Sequence, residues 1–431
     1  VDGVVRIVLR RSQPDIGFVQ PQVWSPPVLE KALETNRDVV RKATADQWIP
    51  RYTLEARGGR RSGALSSCAS TYAPRHVSGF GSITVVTVDP SDPVPREGST
   101  VVGGGDIVYA SRDGLYVTTQ RWGDPRPLAD PAVGVPDIAP VDPGETEIHK
   151  FDIRDAEARY VASGKVRGTL LSQWSMSEHE GFLRVASTAG PSFAALPEEV
   201  PASESFVTVL AQRDEVLAEV GRVGGLGRGE RIYAVRFIGD VGYVVTFRQV
   251  DPLYTLDLSD PTRPRVVGEL KIPGYSSYLH PVGDGLVLGV GQEATDEGRV
   301  LGTQLSLFDV RDPAAPKRLA QLGLGGGSSG AEYDHHAFLW WPPSKLAVLP
   351  LQLYPVAEDG SGQYFAGAVG LRVDADIEEV GRLSHPAPAD SFAGISRALV
   401  AGGALYTVSE SGVMRSDLGS LERSAWVSFA Q

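Results

Sequence analysis

The chain of 431 residues has one cysteine, two methionines, one asparagine and seven lysines. Cys68 alone closes no internal disulfide, and a cysteine-built zinc site or iron–sulfur cluster is excluded with it. The fold therefore rests on packing. So few asparagines and lysines fit the codon bias of a GC-rich genome better than a hyperthermophile, whose proteins tend to be rich in lysine. Positive charge is also short: 41 Lys and Arg stand against 53 Asp and Glu, a net charge of −12. That balance argues against a dedicated binder of nucleic acid or anionic membrane, since both need a basic footprint. No run of 18 or more apolar residues occurs and no charged-then-apolar leader, so nothing reads as a transmembrane span or signal segment.

Turn formers are abundant instead. There are 49 glycines and 31 prolines, well above the ~12% of average usage, while 42% apolar residues leave enough for a core. A helical bundle does not fit that composition. Residues 1–10, VDGVVRIVLR, read as the second half of a β-unit already under way, which leads us to expect a signal or blade segment upstream of them.

Internal repeats set the architecture. Tyr254–Pro261 and Leu305–Pro313 are each an alternating strand closed by an Asp-Pro turn, followed by a proline and the apolar strands Arg265–Leu270 and Lys317–Leu322. A glycine-led segment then precedes the next apolar strand: Gly274–His280 before Gly285–Val290, and Gly330–Leu339 before Lys345–Leu349. Weaker copies end near Asp92, Asp155, Asp214 and Asp374, so the turn acids, with Asp260 and Asp312, recur every 46 to 63 residues. Four strands with their turns need ~40–50 residues. The expected fold is all-β: a single β-propeller domain over residues 1–431, of about seven (six to eight) four-stranded blades. Six blades are visible, and the first strands with Ala404–Ser409 imply part of a seventh. One segment breaks the pattern. Val28, Leu29, Ala32, Leu33, Asn36, Val40 and Ala43 recur at helical spacing after Ser25-Pro26-Pro27, which predicts a helical insertion near residues 28–47. The Gly-, Arg- and Ser-rich stretch 57–74 then reads as a flexible excursion.

Four segments, Thr169–Thr188, Arg231–Asp240, Thr246–Leu253 and Leu270–Pro281, resemble the bacterial and archaeal family of secreted proteins with a carboxy-terminal β-propeller domain, distantly related to WD40 repeats. The resemblance extends over nearly all the chain. It implies export, a propeller fold and a further amino-terminal part, and it carries no established activity.

The chain has seven histidines. His179, His280 and the pair His335-His336 all fall in or just after the strand expected innermost in a blade, where imidazoles with Glu178, Glu332 and Asp334 would suit a metal or acid–base site. Their offsets from the following strand differ, about 3, 6 and 11 residues, so one shared level is not implied and hydrogen bonding between blades is the plainer role. The loop Gly325–Gly330 matches both a nucleophile elbow through Ser328 and a dinucleotide loop, but each needs a strand, a turn and a helix, whereas residues 331–341 have strand character. Asp374, Asp376 and Glu378 alternate as if along one strand face, an arrangement calcium would suit, though without the spacing of an EF-hand loop. The metal candidates are thus His280, His335, His336, Asp374 and Asp376, with zinc, copper or nickel the ions that imidazoles suit and calcium the one that the carboxylates suit, and no cofactor beyond calcium is expected. The acids of the Asp-Pro turns, Asp257, Asp260, Asp309 and Asp312, read as caps that accept nearby backbone N–H groups.

Trp174, Tyr233, Arg236, Tyr275, Tyr278, Trp340, Trp341 and Arg397 lie near the innermost strands and would build a face for a carbohydrate or peptide, since rings give contact area at low entropy cost. Of the adjacent Trp340 and Trp341, one ring is expected to be exposed. The sequence supports a secreted or cell-envelope binding scaffold for an extracellular protein or glycan, possessing no transmembrane segment and no nucleic-acid partner, and able to pair with an amino-terminal segment outside residues 1–431. The competing class is an extracellular hydrolase or lyase with a histidine and acid site at a channel mouth. A deep pocket would favour the enzyme, and a shallow aromatic face the scaffold.

Overall fold

The computed structural model describes residues 3–21, 23, 25–56, 59–74, 78–120, 127–128, 137–138, 144–190, 202–247, 251–295, 298–354, 364–386 and 394–429. They fall into two compact units, Val1–Arg222 and Val223–Gln431.

The first unit opens with an atypical sheet. Val5–Arg11 pairs antiparallel with Ser82–Val88, which pairs with Ser99–Val102, and the two residues Thr71–Tyr72 add a short parallel strand. A helix, Pro26–Lys42, lies between Val5–Arg11 and Ser82–Val88, as expected. Ser25 precedes it in extended conformation and proline fills its first turn, where a missing N–H costs nothing. Among its residues only Ala32 is buried, so packing alone holds the helix weakly. The chain's one asparagine adds a tie: Asn36 Oδ1 accepts from the Val19 N–H at 2.8 Å and its Nδ2 donates to the Val19 carbonyl at 2.9 Å. Within the stretch 57–74, the described residues 59–74 hold regular structure where the sequence reading expected a flexible excursion. Gly59–Ala64 pairs with Arg51–Ala56 as a hairpin, and Cys68–Ser70 forms a 3-10 turn leading into Thr71–Tyr72. Glycine and serine mark hairpin and turn corners there, where composition alone suggested looseness.

Two up-and-down blades follow. One contains Gly105–Ala110, Gly114–Gln120, Glu145–Asp152 and Arg159–Arg167; the other Met176–His179, Phe182–Ala189, Glu204–Arg213 and Val216–Leu226. Their outer strands join in parallel at Ser163↔Val216 and Gly164↔Leu217. Gly164 is required by that approach, because a Cβ there would lie 2.2 Å from the Leu217 carbonyl oxygen.

The second unit holds four more blades. They comprise Arg231–Ile238, Val241–Phe247, Asp251–Asp257 and Arg265–Ile272; Tyr275–Gly283, Leu286–Ala294, Val300–Asp309 and Lys317–Gly325; Gly327–Ser328 and Leu339–Trp341 sharing one position before Leu346–Leu353, Phe365–Val373 and Ile377–Leu383; and Arg397–Ala401, Ala404–Ser409, Gly412–Ser416 and Arg423–Ser428. The last blade is complete, where the sequence showed only part of it. Glu180-Gly181, Asp284-Gly285 and Gly402-Gly403 each have positive φ at both positions, the geometry that closes a two-residue hairpin without splaying its strands.

The core lies between blades. Leu115 and Val117 pack with Ile83, Val85 and Phe151, while Tyr116, on the opposite face of the same strand, packs with Leu170, Met176 and Leu183. A middle strand thus buries both faces, and Gly114–Thr119 is buried without interruption. The same holds in the second unit, where Tyr243, Leu279, Val287 and Phe308 share one cluster and Leu346, Leu383, Leu405 and Met414 another.

Asp-Pro turns follow the third strands as caps. Asp257 Oδ1 accepts from the Ser259 N–H at 3.0 Å, Asp260 Oδ1 from Thr262 at 2.9 Å, Asp309 Oδ1 from Arg311 at 3.1 Å and Asp312 Oδ1 from Ala314 at 3.0 Å.

Candidate functional face of the second unit

Local sequence shapes an unusual approach to the strand Leu339–Trp341. Instead of the expected strand, residues 330–338 form two consecutive 3-10 turns, Gly330–Glu332 and His335–Ala337. The reason is capping. Ser329 accepts from the Ala331 N–H at 3.2 Å and donates to the Pro350 carbonyl at 2.6 Å, while Glu332 reaches back to accept from the Ser329 N–H at 2.7 Å. Gln292 fixes the Glu332 carboxylate from the preceding blade, at 2.7 and 2.8 Å. Asp334 caps the second turn by accepting from the His336 N–H at 3.0 Å. Ser328 pairs with Gln352 in a two-residue bridge, followed by turns rather than the helix that a nucleophile elbow or dinucleotide loop requires.

The twin turns present a polar group with an aromatic flank. Asp334 Oδ1 lies 3.2 Å from His336 Nδ1, and its Oδ2 accepts from Arg397 Nη2 at 2.5 Å. The His335 and His336 rings stand 3.8 Å apart, and Tyr333 is 84% exposed. Burial raises the Asp334 carboxyl, but the His336 N–H and the Arg397 charge outweigh it and hold the group below its usual range. His335 is lowered by burial and by the His336 charge, with Arg236 and Arg397 adding to the effect.

Behind them sits Phe338, 4.8 Å from the His280 ring and 5.5 Å from Tyr278. The Tyr278 hydroxyl meets His280 Nδ1 at 2.9 Å, and burial followed by the Arg236 charge lowers His280 to about 4. A second aromatic group adjoins: the Tyr275 ring lies 4.7 Å from Tyr233 and 4.6 Å from Phe247, and burial, then the Glu332 charge, pushes Tyr275 up to about 12. Burial also raises Glu332.

The structure thus brings together Arg236, Tyr278, His280, Asp334, His335, His336 and Arg397, with Tyr233, Tyr275 and Glu332 beside them. Other candidates lie apart. Glu178, in the first unit, accepts from Lys150 at 3.3 Å and from the Ser111 hydroxyl, and its backbone N–H donates to the Tyr109 hydroxyl at 2.9 Å, which makes it a structural tie. Trp174 belongs to a 3-10 turn, Gln173–Ser175, and His179 ends a strand opposite Phe182. Trp340 and Trp341 are both half-buried, so neither is the exposed ring expected; Trp341 packs toward the Leu346 and Leu405 core.

Asp374 and Asp376 correct another expectation. They occupy a turn after Phe365–Val373 rather than a strand face; Asp374 pairs with Lys345 at 2.5 Å and Asp376 accepts from the Ile377 N–H at 2.8 Å. Glu378 pairs opposite Arg372 on the next strand. Among the described residues, Asp334, His335 and His336 are the group whose ligand atoms gather, all within 4.8 Å of one another.

Sequence reasoning missed Phe338, Gln292 and Tyr333. Ser329-Gly-Ala-Glu332 is a capping box whose pattern was legible; Gln292 carried no local signal. It also passed over two core histidines. His149 is 1% exposed between Thr119 and Tyr160, both at 3.1 Å, and His385 is 7% exposed between Ser409 at 2.7 Å and Thr407 at 2.8 Å. Burial lowers each to about 4.

Two cavities lie elsewhere. One of about 440 Å³ is lined by Arg10, Arg11, Asp46, Arg51 and Leu65 in the first unit, and one of about 330 Å³ by Arg382, Met414, Leu421 and Arg423. Neither includes a residue of the twin-turn face.

Two archaeal relatives, both uncharacterized proteins, are 43% identical over 205 residues in Methanocaldococcus jannaschii and 46% identical over 206 residues in Archaeoglobus fulgidus, each match covering 48% of this chain and 30% of the relative. The matched part is therefore under a third of those relatives' length. Among solved structures, Saccharomyces cerevisiae Sqt1 is 8% identical with a TM-score of 0.47, covering 83% of each chain. The dihydro-heme d1 dehydrogenase NirN is 13% identical with a TM-score of 0.45, covering 80% of this chain and 61% of that one. No helix among the described residues is long and apolar enough to cross a membrane. The fold is all-β with propeller-like four-stranded sheets, and the model of the beta propeller domain matches residues 1–421, so the chain belongs to the beta propeller domain family.

Proposed function

We propose that the chain is a non-enzymatic binding module, exported to the cell envelope or beyond, whose twin-turn face engages a protein or glycan ligand. The carrying observation is Tyr333: a large ring left 84% exposed on a segment pinned on both sides by capping bonds, next to Asp334, His336 and Arg397. A rigid exposed ring loses little entropy on contact, and the adjoining charges supply orientation. The acidic net charge of −12 supports a ligand other than nucleic acid.

The test is an array of surface glycans and envelope proteins probed with the full chain and with Tyr333→Ala. The expected outcome is a ligand retained by the wild type and weakened at least about tenfold by the substitution, as for an interface anchor. Catalytic turnover of a polymer on the same array, unaffected by Tyr333→Ala, would refute the module and favour the hydrolase or lyase.

A further inference from the structure

We propose that Asp334, His335 and His336 form a binding site for a divalent transition-metal ion of the zinc, copper or nickel type. One carboxylate with two imidazoles is the donor set such ions prefer, whereas calcium needs six to eight oxygens. The spacing fits. His336 Nδ1 and Asp334 Oδ1 lie 3.2 Å apart, close to the ~3.3 Å edge of a tetrahedron with ~2.0–2.1 Å metal–ligand bonds, so an ion can replace the hydrogen bond between them. The three ligand atoms lie within 4.8 Å of one another.

The surroundings hold the set in place. Arg397 Nη2 binds Asp334 Oδ2 at 2.5 Å and the His336 N–H binds Oδ1 at 3.0 Å, the outer-shell support that orients a ligating carboxylate. The His336 side chain is 70% exposed, leaving the remaining coordination positions to water or to a group of the bound ligand. The charge of Arg397 opposes the cation, which sets the expected strength below that of a closed structural zinc site. The proposal deepens the binding reading of this face and rests on it only for location.

The test uses untagged full-length chain stripped with a chelator, then titrated with zinc chloride by calorimetry and with cobalt chloride by visible absorption. Expected are one ion per chain, a cobalt band of tetrahedral type, and at least a tenfold loss of affinity in His335→Ala and in His336→Ala, with His179→Ala unchanged. Absence of saturable one-to-one binding, or equal binding by both variants and the wild type, overturns the site. Nitrogen-15 spectra of the wild-type histidine rings provide a second readout free of folding effects: zinc is expected to shift two rings together, and shifts of other rings alone overturn the assignment. Tyr333→Ala is expected to keep the metal while losing the protein or glycan ligand, so the two readings fail separately.

Discussion

The described histidines divide into two kinds, and their surroundings make the difference measurable. His149 and His385 are buried and His280 is half-buried, each hydrogen-bonded by hydroxyls, and burial lowers each to about 4. A folded-state value below the unfolded ~6.5 means that the folded chain binds fewer protons, so stability is present above pH ~6.5 and falls as pH drops toward 4. Thermal melting between pH 7 and 4 is expected to show that decline, on the order of 1–3 kcal/mol per histidine. His385→Gln is expected to flatten part of the curve, and an unchanged slope would show that burial at His385 is looser than its 7% exposure implies. Acids act at lower pH. Arg154 and Ser259 lead the hydrogen bonds that hold Asp152 and Asp257 at about 2, so their contribution is retained above pH ~4 and lost as pH falls through 2. Such roles were only half legible: the Asp-Pro caps could be read from local spacing, whereas His149 meets Thr119 and Tyr160 across strands, pairings that no short window contains.

At the scale of elements, strands and their corners were readable because each blade repeats one order of apolar runs and turn residues. The twin turns were misread as strand. The short alternation Ala331–Asp334 and the apolar run Ala337–Trp341 imitate a strand, and the caps at Ser329 and Asp334, with Gln292 from the preceding blade, override it. The helical insertion provides a direct check. Since only Ala32 is buried, Asn36→Ala removes two hydrogen bonds and is expected to cost about 1–2 kcal/mol locally, read as faster amide exchange over residues 26–42 while the blades keep their protection. Gly164→Ala tests the parallel join in the first unit. A Cβ 2.2 Å from the Leu217 carbonyl forces the two outer strands apart, and a loss of about 2 kcal/mol or more in urea unfolding is expected. A neutral result would mean that the join is not part of the stable fold.

For the whole molecule, composition was the reliable guide. One cysteine and a Gly- and Pro-rich chain left packing between repeated sheets as the source of stability, and the clusters around Tyr116, Phe151, Phe308 and Leu405 lie between neighbouring blades. A net charge of −12 predicts negligible retention on duplex DNA even at low salt, checked by a gel shift in which any salt-sensitive complex would count against the account. What composition could not provide was the location of the proposed binding face, because Arg397 reaches Asp334 across 63 positions of sequence. The most direct measurement is amide hydrogen exchange of the chain with and without whichever glycan or protein the proposed binding array retains. Protection concentrated on residues 329–341 and on the strand containing Arg397 is the predicted result; protection confined to the cleft of Arg10, Arg11 and Arg51, with the twin turns unaffected, would contradict it.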